Sequence, residues 1–434
     1  MILSAILLIL FLLLGNVFEL IFAKVIGYIV TGTQDSGLHF YAVNQTVREA
    51  GQIPFETFAN RISGSQWGVI IAFVGYIVLV LKHRAFILAL PLIGIGGFAL
   101  IGGLRFTVYA VPIAGMSAIY LFFVLGDFFR NKIFKFSFIV IATIAMIIPN
   151  INHIIGYKVP TVLNTIEVLD LAKLKVISDP KDYTLSWWDY GYPIWYYSDT
   201  STLIDGGKHN NDNFLISKIM QTTSADFAVN LSRLSVETYV DSNYSIIANT
   251  LFRDEEKKPI DVNLALLELE DKAYVLPKKT RDIYLYLPYR MLNIFLTVSV
   301  FGNLDLNTGK KLRNIRFFPT TLIKNIEGKH HFKNGIIFDS KKGELTIGRE
   351  KSSVKYFITT KNTASGNILL DSQVLHMDGK YTVIYMKSYR KFVIIDNETF
   401  NSMYIQMFIL GKYDKDLFEL VISSNYSKIY KLKK

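Results

Sequence analysis

Five consecutive residues, Trp187-Trp188-Asp189-Tyr190-Gly191, carry the clearest chemical pattern in this sequence. The chain contains only four tryptophans, and two of them stand side by side directly before a carboxylate. An indole N–H can only donate a hydrogen bond, and an ionised carboxylate can only accept one. The pentapeptide therefore predicts a compact site for a small hydroxyl group, which both donates and accepts. The alternative is an aromatic pair in the core beside a solvated aspartate.

Two further candidates lie in apolar surroundings. Arg105 interrupts the apolar run 85–126, and a charge at the end of a membrane helix is costly enough to indicate a function. The alternative for this arginine is an anchor at the membrane surface. Met291 and Ile294 are three residues apart and share one face if the segment is helical, with ordinary core packing as the alternative.

One carboxylate in a polar segment is a candidate for catalysis. Glu49 lies between two apolar stretches, and its alternative role is a solvated residue paired with Arg48. His39, Asp35 and His209 show no compact spacing typical of a metal site, and we interpret them as ordinary polar loop residues.

The composition predicts a membrane protein. The chain is 51% hydrophobic with a mean hydropathy of +0.29, which is too apolar for an ordinary soluble protein. A bilayer needs about 17–25 apolar residues per helix. Five segments fit, namely 1–30, 67–81, 85–104, 106–126 and 136–156. A cleaved signal peptide over residues 1–14 is the alternative for the first, although it lacks a basic start and a small-residue cleavage site.

Basic residues predict the orientation of these segments. Lys82-His83-Arg84 and the group Arg130, Lys132 and Lys135 lie in the two connections that we place in the cytoplasm. The loop 31–66 and everything after about residue 156 are then external, which in a bacterium means the periplasm. The predicted location is the inner cell membrane, with several spans. The net charge of +11 comes without the basic and aromatic clusters typical of nucleic-acid binding, and there is no cysteine to form a disulfide.

We therefore predict an α-helical membrane domain followed by a mixed α/β periplasmic domain with a β-rich C-terminal part. The predicted divisions are 1–156 with the external loop 31–66, 157–295 with the Trp-Trp-Asp-Tyr-Gly motif, and 296–434. Within the last part, residues 380–386 and 391–396 have the β-branched and aromatic composition of strands, and residues 400–411 have that of a helix.

Four segments, in this order along the chain, resemble the catalytic subunit of asparagine-linked oligosaccharyltransferases, most closely the bacterial single-subunit (PglB) type. They are Gln45-Thr46-Val47-Arg48-Glu49, Gly102-Gly103-Leu104-Arg105-Phe106, the motif at 187–191 with Asp205-Gly206-Gly207-Lys208-His209, and Pro288 to Ile294. The resemblance covers essentially the whole chain.

The resemblance implies transfer of a glycan from a polyprenyl-diphosphate lipid to asparagine in Asp/Glu-x-Asn-x-Ser/Thr acceptor polypeptides, with Mn²⁺ or Mg²⁺ as cofactor. Trp187, Trp188 and Asp189 would bind the Ser or Thr hydroxyl at position +2. Glu49 would contact the acceptor amide beside the metal. Arg105 would pair with an acidic residue at position −2, and Ile294, with Met291, would contact the methyl group of a +2 Thr.

The sequence also departs from this family. A member has thirteen spans, and this chain begins at what resembles the ninth, without the external loops that supply most metal ligands. We therefore expect the chain to be inactive by itself and to need an N-terminal fragment of the same enzyme. One alternative is a membrane-anchored periplasmic peptide-binding module without catalysis, and another is a polyprenyl-phosphate sugar transferase of a different family. Residue 195 is Trp where related sequences often have Arg.

The chain itself contains acceptor sequences of the type Asn-x-Ser/Thr. They start at Asn44, Asn230, Asn243, Asn397 and Asn425. Only Asn243 has an acidic residue, Asp241, at position −2, and it lies among polar residues typical of a loop. We therefore predict that Asn243 is a glycosylation site.

Overall fold

The fold is given by a computed structural model, which describes residues 14–16, 19, 22, 33–35, 37–41, 46, 49–157, 161–254, 256–363 and 366–434. Most of the predicted first span, 1–30, and Asn44 and Arg48 lie outside these residues. The chain divides into two compact units. The helical unit comprises Met1–Gly32 and Ala42–Pro160, and the α/β unit comprises Thr33–Tyr41 and Thr161–Lys434.

The helical unit contains the apolar segments. Its helices are α1 (Phe55–Ser63), α2 (Gln66–Lys82), α3 (Leu90–Gly102), α4 (Thr107–Gly126) and α5 (Lys132–Gly156). In the described part, three stretches are long and apolar enough to cross a membrane, namely Arg84–Gly102, Leu104–Gly126 and Lys132–Gly156. The pair α1 and α2, bent by 68°, would make a fourth if it is one span. The predicted count of five is not confirmed.

Helix α1 lies inside the segment that the sequence placed in an external loop, 31–66. Phe58 and Ile62, one turn apart, are buried against Ala99 and Ala110 of the neighbouring helices. Pro54 precedes the helix and Gly64 ends it in the left-handed conformation, with φ of 73°. Its amphipathic spacing explains why a short helix forms here.

Small residues allow the apolar helices to approach closely. A Cβ atom on Gly75 would lie 2.1 Å from the Ser117 carbonyl oxygen, and one on Gly96 would lie 2.4 Å from the Ala110 Cβ. Helices α2 and α3 therefore both pack against α4 through glycine, which is common where helices associate in lipid.

A four-stranded sheet forms the centre of the α/β unit. Its strands are β3 (Tyr183–Leu185), β4 (Ile283–Pro288), β14 (Phe418–Ser423) and β15 (Ser427–Leu432), in the order β14-β15-β4-β3. Strands β3 and β4 are parallel and the other pairs are antiparallel. Every residue of β4 is buried, because helices and loops cover the sheet.

Seven helices and one hairpin accompany this sheet in the described α/β unit. The helices are α6 (Thr165–Ile177), α7 (Gly191–Ser198), α8 (Asn213–Gln221), α9 (Ala225–Asp241), α10 (Ile247–Leu251), α11 (Val262–Glu268) and α12 (Met291–Gly302). The hairpin β1 (Thr33–Asp35) and β2 (His39–Tyr41) joins them through the His39 N–H, which donates to the Leu306 carbonyl at 2.8 Å. Helix α12 runs across position 295, where the sequence placed a domain division.

A nine-stranded sheet follows. Eight strands run in the order β5-β13-β12-β10-β9-β8-β7-β6, and β11 pairs with β10. They are β5 (Phe317–Thr320), β6 (Leu322–Ile326), β7 (Lys329–Phe332), β8 (Ile337–Asp339), β9 (Glu344–Ile347), β10 (Glu350–Asn362), β11 (Ile368–Val374), β12 (Tyr381–Met386) and β13 (Lys391–Asp396). Strands β12 and β13 match the two predicted strands. The predicted helix 400–411 is instead a short helix, α13 (Asn397–Phe400), and a π-helix, Ile405–Ile409.

Candidate functional site

The Trp-Trp-Asp-Tyr-Gly motif directly follows strand β3. Ser186 fixes its start, because its hydroxyl donates to the Tyr286 carbonyl of the neighbouring strand at 2.9 Å. Trp187 is almost completely buried, and its ring meets Phe301 of α12 edge-on at 5.0 Å. Residues Trp188–Tyr190 form a 3₁₀ turn that leads into α7. The motif is therefore held by a strand on one side and a helix on the other.

Trp188 presents a hydrogen-bond donor to this site. Its indole N–H is buried and has no hydrogen-bond partner among the described residues. The indole ring lies 5.5 Å from the ring of His209. Leaving a buried donor unpaired costs about 1–3 kcal/mol. A ligand that accepts a hydrogen bond from this N–H would remove that cost and bind more tightly.

Asp189 is the complementary acceptor. The carboxylate is partly buried, and this burial raises its pKa, while the charge of Arg290 acts in the opposite direction. Arg290 is itself held by a hydrogen bond from its guanidinium to the Thr161 carbonyl at 3.2 Å. The next residue, Tyr190, is fully buried, and its hydroxyl also has no partner in the part of the chain described.

The glycine of the motif is required by the packing around it. A Cβ atom on Gly191 would lie 2.3 Å from the Asp205 Cβ, so the segment 205–209 could not approach. Asp205 caps that segment by accepting hydrogen bonds from the Gly207 and Lys208 N–H groups, both at 2.8 Å. This segment places the His209 ring next to the Trp188 ring.

Met291 and Ile294 lie in the first turn of α12, directly after Arg290. Met291 is fully buried, which is the arrangement of core packing, whereas Ile294 is only partly buried. Their neighbour Asn293 is exposed. Of the two apolar residues, Ile294 therefore has more surface available to a ligand.

Glu49 and Arg105 belong to the helical unit. The side chain of Glu49 is exposed, and its backbone carbonyl lies against Gly103, where a Cβ atom would be 2.1 Å from the oxygen. Gly103 has a φ of 105°, which favours glycine. Arg105, two residues later, is exposed, with its guanidinium 5.7 Å from the Phe106 ring centre. The backbone thus brings the Glu49 segment to the Gly103–Arg105 turn.

The described residues do not by themselves make a site for Mn²⁺ or Mg²⁺. No three His, Cys, Asp or Glu side chains in that part of the chain are arranged to hold a metal ion. Magnesium prefers six oxygen ligands, and Glu49 alone supplies at most two.

Comparison with known proteins identifies the family. The description "STT3/PglB/AglB core domain" matches residues 180–308, and "STT3/PglB C-terminal beta-barrel domain" matches residues 316–395. The undecaprenyl-diphosphooligosaccharide–protein glycotransferases of two Campylobacter jejuni strains are 37% identical over 418 residues. A crystal structure of the C. jejuni PglB C-terminal domain is 34% identical, covers 62% of this chain and 100% of its own, and has a TM-score of 0.54.

The chain belongs to the STT3/PglB family. The C. jejuni relatives cover 92% of this chain, and the chain spans 57% of their length. The archaeal oligosaccharyltransferase AglB from Archaeoglobus fulgidus, in complex with an inhibitory peptide and a dolichol-phosphate, aligns over 97% of this chain and 43% of its own. It has 14% identity and a TM-score of 0.47. The STT3/PglB core match contains helix α12 and the residues Trp187, Trp188 and Asp189, which we call the cup. The barrel match contains most of the nine-stranded sheet.

The structure indicates a role at the motif for three residues to which the sequence analysis assigned none. Arg290 affects Asp189 through its charge, His209 faces Trp188, and Tyr190 adds a second unpaired buried donor. The sequence does single out Arg290, because it is a charged residue immediately before the apolar segment that begins at Met291. No local pattern links His209 to a tryptophan twenty-one residues earlier, because the contact depends on Gly191 and Asp205.

Proposed function

We propose that this chain is part of an oligosaccharyltransferase that transfers a glycan from a polyprenyl-diphosphate lipid to asparagine in Asp/Glu-x-Asn-x-Ser/Thr. In this proposal the chain resides in the inner membrane with the α/β unit in the periplasm, and an N-terminal segment completes the enzyme. The observation that carries the proposal is the buried, unpaired indole N–H of Trp188 beside the Asp189 carboxylate.

A hydroxyl group matches this pair of groups. The Ser or Thr at position +2 would donate to the Asp189 carboxylate and accept from the Trp188 indole N–H, which otherwise has no partner among the described residues. Trp187, packed on Phe301, would hold the next residue in place and close the cup. An alanine at +2 leaves both groups without a partner, and each lost hydrogen bond costs about 0.5–1.5 kcal/mol. The cup would therefore favour acceptors with a hydroxyl group at position +2, because other residues leave its hydrogen-bonding groups unpaired.

Other side chains would orient the acceptor. We assign Glu49 to the acceptor amide, whose nitrogen is a poor nucleophile because its lone pair is shared with the carbonyl. Arg105, as an exposed guanidinium, would pair with a carboxylate at −2. Ile294, half-exposed at the start of α12, would contact the methyl group of a +2 Thr, a contact worth about 0.8 kcal/mol. Since the described residues form no metal site, these assignments concern binding and orientation only.

The experiment is a transfer assay in reconstituted membranes with lipid-linked oligosaccharide, Mn²⁺ and a fluorescent Asp-x-Asn-x-Thr peptide. We propose that the chain alone gives no product and that co-expression with an N-terminal fragment of a related enzyme gives product. Product from the chain alone would refute the first statement. Peptide binding without product in every combination would favour the peptide-binding module instead.

We also propose that Asn243 is glycosylated. Asn243 is exposed in the turn after α9, whereas Asn230 is fully buried and its amide donates to the Leu269 and Asp271 carbonyls at 3.0 Å. The Asn397 amide donates to the Gly379 carbonyl at 2.9 Å. In a glycosylating host, mass spectrometry should find Asn243 modified before the other four asparagines. Modification elsewhere with Asn243 bare would contradict the assignment.

A further inference from the structure

A second cleft lies in the α/β unit, lined by different residues from the Trp187–Asp189 cup. Its volume is about 520 Å³, within the usual range of small-molecule sites. Aromatic and charged side chains line it together, and they include Tyr183, Trp195, Lys208, Tyr239, Tyr244 and Arg281. The acceptor assignments above use none of these residues.

Trp195 forms one wall. It lies on helix α7 and is 60% exposed. Its indole has neither a hydrogen bond nor a ring contact with any residue in the described parts of the chain. Exposed tryptophan of this kind is unfavourable in water and is enriched where one face packs against a ligand.

Tyr244 is a second exposed aromatic residue of the lining, and it is held in place by local contacts. It is 61% exposed, yet its N–H donates to the Tyr239 carbonyl at 2.8 Å and its ring meets the Tyr239 ring edge-on at 5.4 Å. Asn243 and Tyr244 both have positive φ, 54° and 67°. Two consecutive left-handed residues that are not glycine carry strain, and such strain is typical of functional turns. The turn fixes the direction of Tyr244.

Two cations of the cleft lining are held next to carboxylates. The Lys208 ammonium lies 3.4 Å from the Asp205 carboxylate and donates to the Thr202 carbonyl at 3.2 Å. The Arg281 guanidinium lies 4.0 Å from the Glu237 carboxylate and 5.6 Å from the Tyr183 ring centre. With Lys181, the lining has three cations and one carboxylate, and these groups can donate hydrogen bonds to sugar hydroxyls and accept them.

We infer that this cleft binds an oligosaccharide. The faces of Trp195 and Tyr244 would pack against the C–H faces of sugar rings, and Lys208 and Asp205 would bond to the sugar hydroxyls. A bilayer surface fits less well, because it would dehydrate the charged groups of the cleft. Asn243 immediately precedes Tyr244, so a glycan on that asparagine would begin at the rim. The presence of a glycan on Asn243 rests on the proposed function. The binding of an oligosaccharide in the cleft does not depend on it.

The test is binding of glycans to the full chain in nanodiscs, without lipid donor or peptide. We would use an array of oligosaccharides of three to seven sugars, followed by titration of the strongest binder. We expect W195A to weaken binding about tenfold, as the loss of one stacked ring would. W195F should restore most of the affinity. Y196A, which removes a neighbouring aromatic that is 79% exposed but does not line the cleft, should bind like the wild type.

Two results would overturn the inference. One is an array with no glycan bound, or with binding equal in W195A and the wild type. The other is quenching of Trp195 fluorescence by brominated lipids, measured as the difference between wild type and W195F, which would place this face on the bilayer. If the wild-type chain binds no glycan but catalyses transfer when it is complemented with an N-terminal fragment of a related enzyme (the complemented enzyme), only the assignment of the cleft is contradicted. Loss of transfer with glycan binding intact would contradict only the proposed function.

Discussion

The cup around Trp188 and Asp189 and the Glu49–Arg105 region are built in opposite ways. The cup consists of buried or half-buried groups, fixed by strand β3, helix α12 and the Asp205–His209 segment. Glu49 and Arg105 are exposed, and the position of the Glu49 backbone depends on one glycine. The difference suits two tasks: buried unpaired groups select a ligand strongly, whereas exposed charged groups can meet ligands of varied shape.

Substitutions in the two regions should change different measured quantities. Changes in the cup should alter the preference for a hydroxyl over a methyl group at position +2. Changes near Glu49 should alter transfer or the preference at −2 and leave the +2 preference as it was. Variants that change both preferences equally would show that the two regions do not have separate roles.

The largest effect is expected for Gly103→Ala. The new Cβ would lie 2.1 Å from the Glu49 carbonyl oxygen, at a φ of 105° that alanine rarely adopts. Strain and overpacking together should cost about 3 kcal/mol and displace the Glu49 segment. In the complemented enzyme we expect transfer to fall strongly while the ratio of Thr to Ala peptide binding is kept.

Gly94→Ala is the matched control for this variant. Gly94 lies in the same apolar region, within α3, and has nothing within 4 Å of an added Cβ. The Gly94→Ala variant should therefore keep the transfer activity and the thermal stability of the wild type. Equal loss of transfer in both variants would show that the close approach at Gly103 is not the cause.

The next effect concerns Asp212, at the start of helix α8, which is buried. Burial raises its pKa to about 6, and one carboxylate oxygen accepts from the Ala248 N–H while the other has no partner among the described residues. The folded state therefore favours the protonated acid. The stability that this provides is full below the unfolded pKa near 4 and is lost as pH rises through about 6.

Asp212→Asn should abolish this pH dependence. The variant should exceed the wild type by about 2 kcal/mol in unfolding free energy at pH 7.5, and the gap should close near pH 4. Denaturant unfolding of the chain at several pH values measures it. A stability difference that does not change with pH would exclude Asp212 as the titrating group.

The smallest effect is expected for Arg105→Ala. A charge-assisted hydrogen bond is worth about 1.5–3 kcal/mol, and the exposure of Arg105 places it at the low end. The variant should reduce the preference for Asp over Ala at position −2 about tenfold in the complemented enzyme. Arg84→Ala, another exposed arginine of the helical unit, should not change the ratio. An unchanged ratio in Arg105→Ala would leave it as an interfacial anchor.

Local patterns in the sequence predicted local structure well. The apolar stretches 85–104, 106–126 and 136–156 are helical apart from a break at Gly103, as expected for stretches of this length and composition. Strands β12 and β13 were predictable from their β-branched and aromatic runs. Helix α1 was missed because the prediction considered charge and hydropathy over 31–66 rather than the spacing of Phe58 and Ile62.

Non-local pairings were beyond the sequence. Strand β3 pairs with β4, about one hundred residues later, and β4 pairs with the C-terminal strand β15. The pairing of β3 with β4 places Arg290 near Asp189. Nothing in the sequence of either strand specifies the other strand as its partner. For the same reason Trp188 and Asp189 could be chosen as a pair from the sequence, but the buried and unpaired state of the indole N–H could not.

The central claim is that Asp189 and Trp188 bind the hydroxyl at position +2. The most direct measurement compares binding of Asp-x-Asn-x-Thr and Asp-x-Asn-x-Ala peptides to the wild type and to Asp189→Ala in the complemented enzyme. Asp378→Ala, which removes an exposed carboxylate, serves as the control. We predict that Asp189→Ala weakens the Thr peptide about tenfold, the equivalent of about 1.4 kcal/mol, and leaves the Ala peptide unchanged. Equal weakening of both peptides, or of neither, would contradict the account.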